Sequence, residues 1–199
     1  MNKVLILSPH SDDGLLGAGA TISRFVEEGR DVTYAIFAPN GQGFEDGEIE
    51  NALVELGLGN EKIIKQDFPV RHFTEHRQAI LEWMLQLRKE LQPELVLCHS
   101  TADTHQDHNV VRQEAFRAFK HHSIWGYDLP WNTRNFSSDI FVPLRERNVE
   151  KKLKAIAQFV SQKERPYYNL EIRKAHLIAN GEKITKRYCE VFEGISQVL

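Results

Sequence analysis

Cysteine is scarce: 199 residues contain two, Cys98 and Cys189, far apart and flanked by apolar or bulky neighbours. That excludes a disulfide-stapled scaffold. It fits a reducing compartment, so the cytoplasm is the expected location and both thiols are expected to be buried. An excess of one charge is also missing. Lys and Arg number 25 against 28 Asp and Glu, a formal net charge of −3, which leaves no nucleic-acid footprint. The one short basic cluster, EKKLKA, reads as a solvated helix face. No apolar run is long enough to span a membrane, and the opening MNKVLILSPH is too short for a signal peptide. Internal repeats, low-complexity tracts and linkers are absent. What remains, 41% hydrophobic and 27% charged residues, is the composition of a globular chain. Residues 1–199 suffice for one domain with a sizeable core.

The hydrophobic pattern alternates. KVLIL (3–7) is a short continuous apolar run, which suits a strand covered on both faces. LLGAGATISRFVEEG (15–29) has helical spacing and a closing glycine. DVTYAIFAP (31–39) is rich in β-branched and aromatic residues and reads as a second strand. Together they form a βαβ unit. The pattern then repeats: a helix at EIENALVELGL, an edge strand at EKIIKQ, a long helix ending at LRKEL, a strand at ELVLCHS, a helix at DHNVVRQEAFRAFK, and later strands at SIWGYD and DIFVPL. VEKKLKAIAQFVSQ and the whole of 170–195 read as helical. The fold predicted is a Rossmann-like three-layer α/β/α arrangement around a mostly parallel sheet.

In such sheets the chemistry sits outside the carboxyl ends of the strands. Two of those ends are unusual. SPHSDD follows the first strand, and HSTADTHQDH (99–108) follows ELVLC. Between them they supply His10, Asp12, Asp13, His99, Asp103, His105, Asp107 and His108. Two imidazoles and a carboxylate on one divalent ion, with a position open to water, make a catalytic zinc site. The metal lowers the pKa of that water to about 7, and a further carboxylate off the metal can take its proton. Adjacent aspartates in one turn can therefore divide the work. Asp and Ser after a strand also cap the following helix, and His105 and His108 at i, i+3 can share an exposed helix start. Either loop alone is open to those readings, but a single ligand set draws on both loops.

PHSDDGLLGAGATISRFVEEG resembles the amino-terminal motif of the LmbE-like, or PIG-L, family of zinc-dependent N-deacetylases, which usually reads Ala/Pro-His-Pro-Asp-Asp-Glu. THQDH resembles its second motif, His-Pro-Asp-His. APNGQG, LVELGL, PELVLCHS, KKLKAIAQFVSQ and YCEVFEG extend the likeness along the whole chain. The resemblance implies that His10, Asp13 and His108 hold Zn2+ (or another divalent metal). It implies that Asp12 is the general base and that His105 stabilises the oxyanion or protonates the leaving amine, with Asp107 orienting His105. The imidazolium form of His105 is the expected donor, kept protonated by Asp107.

Ser11 and Gln106 replace prolines of the pattern. Gly14 replaces its usual glutamate, which puts the tuning of the site and the substrate contacts in question. The arginine that many members carry after the second strand is missing, and Arg71 in FPVRHF is the candidate replacement. In YDLPWNTRNF, Trp131 and Asn132 are candidate substrate contacts, since aromatic faces suit sugar rings and amides suit hydroxyls. His99 is expected to support the site from its strand end. The function implied is hydrolysis of the N-acetyl group of an amino sugar or its conjugate, releasing acetate and a free amine. Two alternatives stand beside it: a degenerate glycan- or metal-binding member, and a metal-dependent phosphoesterase. The partner expected is a small amino-sugar substrate, without nucleic acid or a membrane span; a homo-oligomer is compatible with the sequence.

Overall fold

Five runs become parallel strands; four are almost wholly buried, as suits strands covered on both faces, and the short run IIK is a partly exposed edge strand. They are β1 (Lys3–His10), β2 (Asp31–Ala38), β3 (Ile63–Lys65), β4 (Leu95–His99) and β5 (Ser123–Tyr127). The structure, a computed structural model, describes residues 1–40 and 43–198, so Gly41 and Gln42 of the APNGQG stretch lie outside the described residues. Two further strands, β6 (Ile140–Pro143) and β7 (Cys189–Ser196), complete a seven-stranded sheet in the order β3-β2-β1-β4-β5-β7-β6. β7 runs antiparallel to both of its neighbours. The sheet is thus mostly parallel, as predicted.

Among the described residues six α-helices cover it: α1 (Asp13–Glu27), α2 (Glu48–Leu56), α3 (Arg77–Leu91), α4 (Gln106–Phe119), α5 (Glu146–Ala157) and α6 (Leu170–Glu182). Side chains alternate along β1. Val4 and Ile6 join the core under α1, α2, α5 and α6, whereas Leu5 and Leu7 join the core under α3 and α4. Burying one such side chain contributes about 1.5–3 kcal/mol. Both cysteines are buried free thiols, as expected.

The strand order reverses between β1 and β4, since β2 and β3 extend one way and β5 the other. The two unusual loops leave the carboxyl ends of those two strands, so they flank the crevice where α/β sheets bind ligands.

The glycine run of α1 serves close packing. A Cβ on Gly17 would lie 2.4 Å from Cδ2 of Tyr127, and one on Gly14 would lie 2.8 Å from both Ile6 Cγ2 and Tyr34 Oη. The helix can therefore rest directly on the sheet.

Two expectations need correction. The segment 170–195 is not helical throughout. α6 ends at Glu182, Thr185 takes a left-handed φ of 58°, and the chain returns as β7. Helical spacing runs up to that turn, and a strand inserted between two others carries no local signal of its partners. Nor is EKKLKA a uniformly solvated face. Lys152 is buried, with Nζ 2.6 Å from Glu190 Oε1 and 2.7 Å from the Leu16 carbonyl oxygen. Glu190 in turn accepts the backbone N–H groups of Ala20 and Thr21 in the middle of α1. Among the described residues no helix is long and apolar enough to cross a membrane.

Candidate active site

His10 is the last residue of β1, Asp12 lies in the turn into α1, and Asp13 is the first residue of that helix. His99 ends β4, His105 is the N-cap of α4, and His108 lies in its first turn. The sheet places these two ends side by side, and the predicted ligands meet. His10 Nδ1 is 3.0 Å from Asp13 Oδ2, His108 Nε2 is 3.3 Å from the same oxygen, and the two ring nitrogens are 3.2 Å apart. Ligand atoms about 2.0–2.1 Å from a tetrahedral divalent ion lie about 3.3 Å from one another. The trio thus fits such an ion.

The outward ring nitrogens point the same way. His10 Nε2 meets Asp107 Oδ2 at 3.2 Å, and His108 Nδ1 meets Asp103 Oδ2 at 3.0 Å. A carboxylate behind each imidazole fixes its orientation and raises its basicity, as in many metal sites. Among the described residues two overlapping groups have the donors and spacing to hold a metal: His10, His105 and His108, and Asp13, His99 and His108.

The titration pattern follows from the geometry. Burial alone would depress His10, but Asp13, with the bond to Asp107, carries its pKa up to about 10. Burial is likewise outweighed at His108, where Asp13 and Asp103 bring the pKa to about 9. Asp13 is buried yet held well below the usual carboxylate range by His108 and His10. Asp12 goes the other way. Burial and the charge of Asp13 raise it to about 6, against a hydrogen bond from Tyr168. Two neighbouring aspartates thus have opposite proton affinities, the separation expected of a ligand and a base.

His105 departs from expectation. Its ring is driven down to about 4 by burial and by the nearby His108 and His10, so it is neutral near pH 7 rather than an imidazolium. Its Nδ1 accepts the Asp107 backbone N–H at 3.1 Å, which leaves the proton on Nε2. The Asp107 carboxylate does not bond to His105. It holds His10 and accepts the backbone N–H groups of Arg71 (2.7 Å) and Phe73 (3.4 Å). His105, His108 and His99 form a column of rings, with centroids 4.2 Å and 3.7 Å apart. His99 is fully buried, and its Nδ1 lies 3.2 Å from the Tyr127 hydroxyl.

Beside the cluster opens a cleft of about 430 Å³ lined by His10, Asp12, Asp13, Arg71, His105, His108, Trp131, Asn132, Arg165 and Tyr167. All three predicted substrate contacts are in its wall. Arg71 has a left-handed φ of 68°, a conformation few non-glycine residues adopt, and its N–H is clamped by Asp107. Trp131 stacks on Tyr167 with centroids 4.5 Å apart, and the Asn132 carbonyl accepts from the N–H and hydroxyl of Thr104.

Gly14 does not face this cleft; it faces Ile6 and Tyr34. The residue bears on how α1 packs, not on substrate contact. Sequence reasoning passed over Tyr168, whose hydroxyl donates to Asp12 Oδ2 at 2.5 Å, and over Arg165 and Tyr167 beside it. It gave Asp103 no role. No spacing links residue 168 to residue 12, so only the fold brings them together.

Comparison with known proteins follows the same lines. The family described as PIG-L, GlcNAc-PI de-N-acetylase, matches residues 5–119. A diacetylchitobiose deacetylase of Thermococcus kodakarensis is 30% identical over 162 residues, which is 75% of this chain and 58% of that protein. The chain therefore spans little more than half the length of that relative. Among solved structures, the conserved protein TT1542 of Thermus thermophilus superposes with a TM-score of 0.83 at 24% identity, covering 100% of this chain and 97% of the other. The N,N'-diacetylchitobiose deacetylase of Pyrococcus horikoshii gives 0.78 at 24% identity, covering 96% and 83%. These likenesses between structures speak for the fold.

Proposed function

Because the chain belongs to the PIG-L family, we propose that it is a metal-dependent N-deacetylase, with residues 1–199 as one domain. Its substrate is an N-acetylated amino sugar or conjugate, and its products are acetate and the free amine. The observation that carries this reading is the convergence of His10 Nδ1, Asp13 Oδ2 and His108 Nε2 within 3.0–3.3 Å of one another, with Asp12 beside them and free of that set.

His10, Asp13 and His108 would hold the cation, zinc being the first choice for two imidazoles and a carboxylate. When bound, it would polarise the acetyl carbonyl and make water nucleophilic near neutral pH. Asp12 takes the proton of the attacking water and delivers it to the leaving amine. Neutral His105 donates from Nε2 to the oxygen that becomes negative during attack, without needing a proton of its own from solvent. Asp107 and Asp103 hold the two ligand rings in register. Arg71, Trp131 and Asn132 contact the substrate from the cleft wall.

The test is a panel of N-acetylated sugars and conjugates scored for acetate and amine release, with Zn2+ added or chelated, beside a phosphate-ester panel. Chelator-sensitive amine release supports the reading. Phosphate release without amine release favours the phosphoesterase. Binding with neither product favours the degenerate binder.

A further inference from the structure

An aspartate at a helix N-cap ordinarily turns its carboxylate back to accept the N–H of the second or third helical residue. Asp12 occupies the N-cap of α1 and makes no such bond. Both N–H groups are already taken. That of Gly14 donates to Ser8 Oγ at 2.9 Å, and that of Leu15 donates to Tyr34 Oη at 3.0 Å. The two hydroxyls come from β1 and β2, not from the helix. Each has other acceptors for its own proton: the His10 carbonyl lies 2.6 Å from Ser8 Oγ, the Ser11 carbonyl 3.1 Å from Tyr34 Oη, and the two hydroxyls lie 3.0 Å apart. Each therefore turns a lone pair toward α1. The missing Cβ of Gly14 is what admits the Tyr34 hydroxyl, since that atom would sit 2.8 Å from it.

On the cleft side the Tyr168 hydroxyl donates to one oxygen of Asp12 at 2.5 Å, in buried surroundings. Tyr168 ends the short turn Pro166–Tyr168, directly beside Arg165 and Tyr167 in the cleft wall.

We infer that Ser8 and Tyr34 cap α1 in place of Asp12, and that Tyr168 anchors the carboxylate so released by one oxygen, leaving the other for the cleft. All three are positioning residues for Asp12. This rests on the proposed role of Asp12 as proton acceptor. The physical content is a competition for one carboxylate. Tyr168 holds it at the site, and the hydroxyls from the sheet close the helix end that would otherwise attract it. Removing the Tyr34 hydroxyl leaves the Leu15 N–H as an open donor within reach of Asp12. Removing the Tyr168 hydroxyl frees the carboxylate to rotate. Either change misplaces a reacting group, for which losses of about 10²-fold arise from displacements near 1 Å.

The test uses Tyr168→Phe and Tyr34→Phe, each alone and combined with Asp12→Asn, with kcat, KM, metal content and melting temperature measured. The expected result is a kcat about 10–100-fold lower in each tyrosine variant, with KM within about twofold and metal content unchanged. In the Asp12→Asn background neither tyrosine change lowers the rate further, which a merely structural role would not produce. Crystals of Tyr34→Phe should show Asp12 turned onto the Leu15 N–H. Wild-type kcat in Tyr168→Phe overturns the inference, as does a multiplicative loss with Asp12→Asn. An Asp12→Asn enzyme that turns over normally removes the base assignment and this inference together. An inactive Asp12→Asn beside a normal Tyr168→Phe removes the inference alone. If Tyr34→Phe fails to fold, the Tyr168→Phe series decides.

Discussion

Replacing Lys152 by methionine isolates a buried charge pair that holds three elements together. Its Nζ lies 2.6 Å from Glu190 Oε1 in β7 and 2.7 Å from the Leu16 carbonyl of α1, while Lys152 itself belongs to α5. Lys152 and Glu190 are each 3% exposed. Burial depresses the Lys152 pKa even with Glu190 opposing it, so solvent contributes little to holding either charge. Methionine keeps the unbranched stem and leaves little cavity, which confines the effect to electrostatics. Removing one partner of a buried pair costs about 3–5 kcal/mol. The Ala20 and Thr21 N–H groups continue to bond Glu190, which places the expectation near the low end, about 3 kcal/mol. For a chain of this size that is about 6–12 °C in melting temperature. The double variant Lys152→Met/Glu190→Gln has no uncompensated charge and keeps one acceptor oxygen for the Ala20 and Thr21 N–H groups, which Glu190 serves with separate oxygens. It should be more stable than the single variant, with about 1–3 kcal/mol still missing for the helix N–H left without an oxygen. Urea denaturation followed by circular dichroism measures both. A single variant less than about 1 kcal/mol destabilised, or a double variant no better than the single, refutes the reasoning.

Asp13→Asn should weaken Zn2+ binding by more than about 100-fold and Asp107→Asn by about 10–100-fold, measured by competition with a chelating dye; equal affinities would place Asp13 outside the ligand set. His10 and His108 titrate at about 10 and about 9 in the metal-free fold, above the ordinary histidine value of about 6.5. Their stabilising contribution is therefore full below about pH 6.5 and lost as pH rises through 9 to 10. Cation binding at pH 7.5 should accordingly release about two protons, seen by calorimetry in buffers of different ionisation enthalpy, and release of none would contradict the raised values. Gly14→Glu should destabilise the fold by about 1–3 kcal/mol or more through overpacking against Ile6 and Tyr34, which its Cβ would approach to 2.8 Å. Unchanged stability in a thermal melt would show that the residue has room there.

What could be read from the sequence was what repeats at short range. KVLIL announces β1 because a strand covered on both faces is apolar without interruption. His10, Asp13, His105 and His108 drew attention because two strand ends between them supply one ligand set, while the role of each came from the family resemblance. Partnerships across the chain were not legible. Lys152 looks like any surface lysine until Glu190 arrives from β7. Asp107 seems placed to serve its neighbour His105, yet the helix start turns its carboxylate onto His10. Tyr168 carries no signal at all, for its meaning depends on Asp12, 156 positions earlier. Gly14 was noticed, but a missing side chain does not say on which side it is missed.

β7 lies between β5 and β6, and among the described residues β6 pairs with no strand but β7. As the chain emerges from the ribosome, β6 therefore has nothing to zip onto while α5 and α6 are being made. The edge of β5 stays open over the same interval, a template for pairing with another chain. Lys152 faces the same wait, because its counter-charge rides on the absent strand. Nascent protein stalled before residue 189 should thus carry the His10, Asp13 and His108 cluster already assembled, an unsealed sheet edge and an ammonium group without its partner. One event, the arrival of β7, cures both defects, so the order of synthesis makes sheet closure and charge neutralisation a single late step of folding.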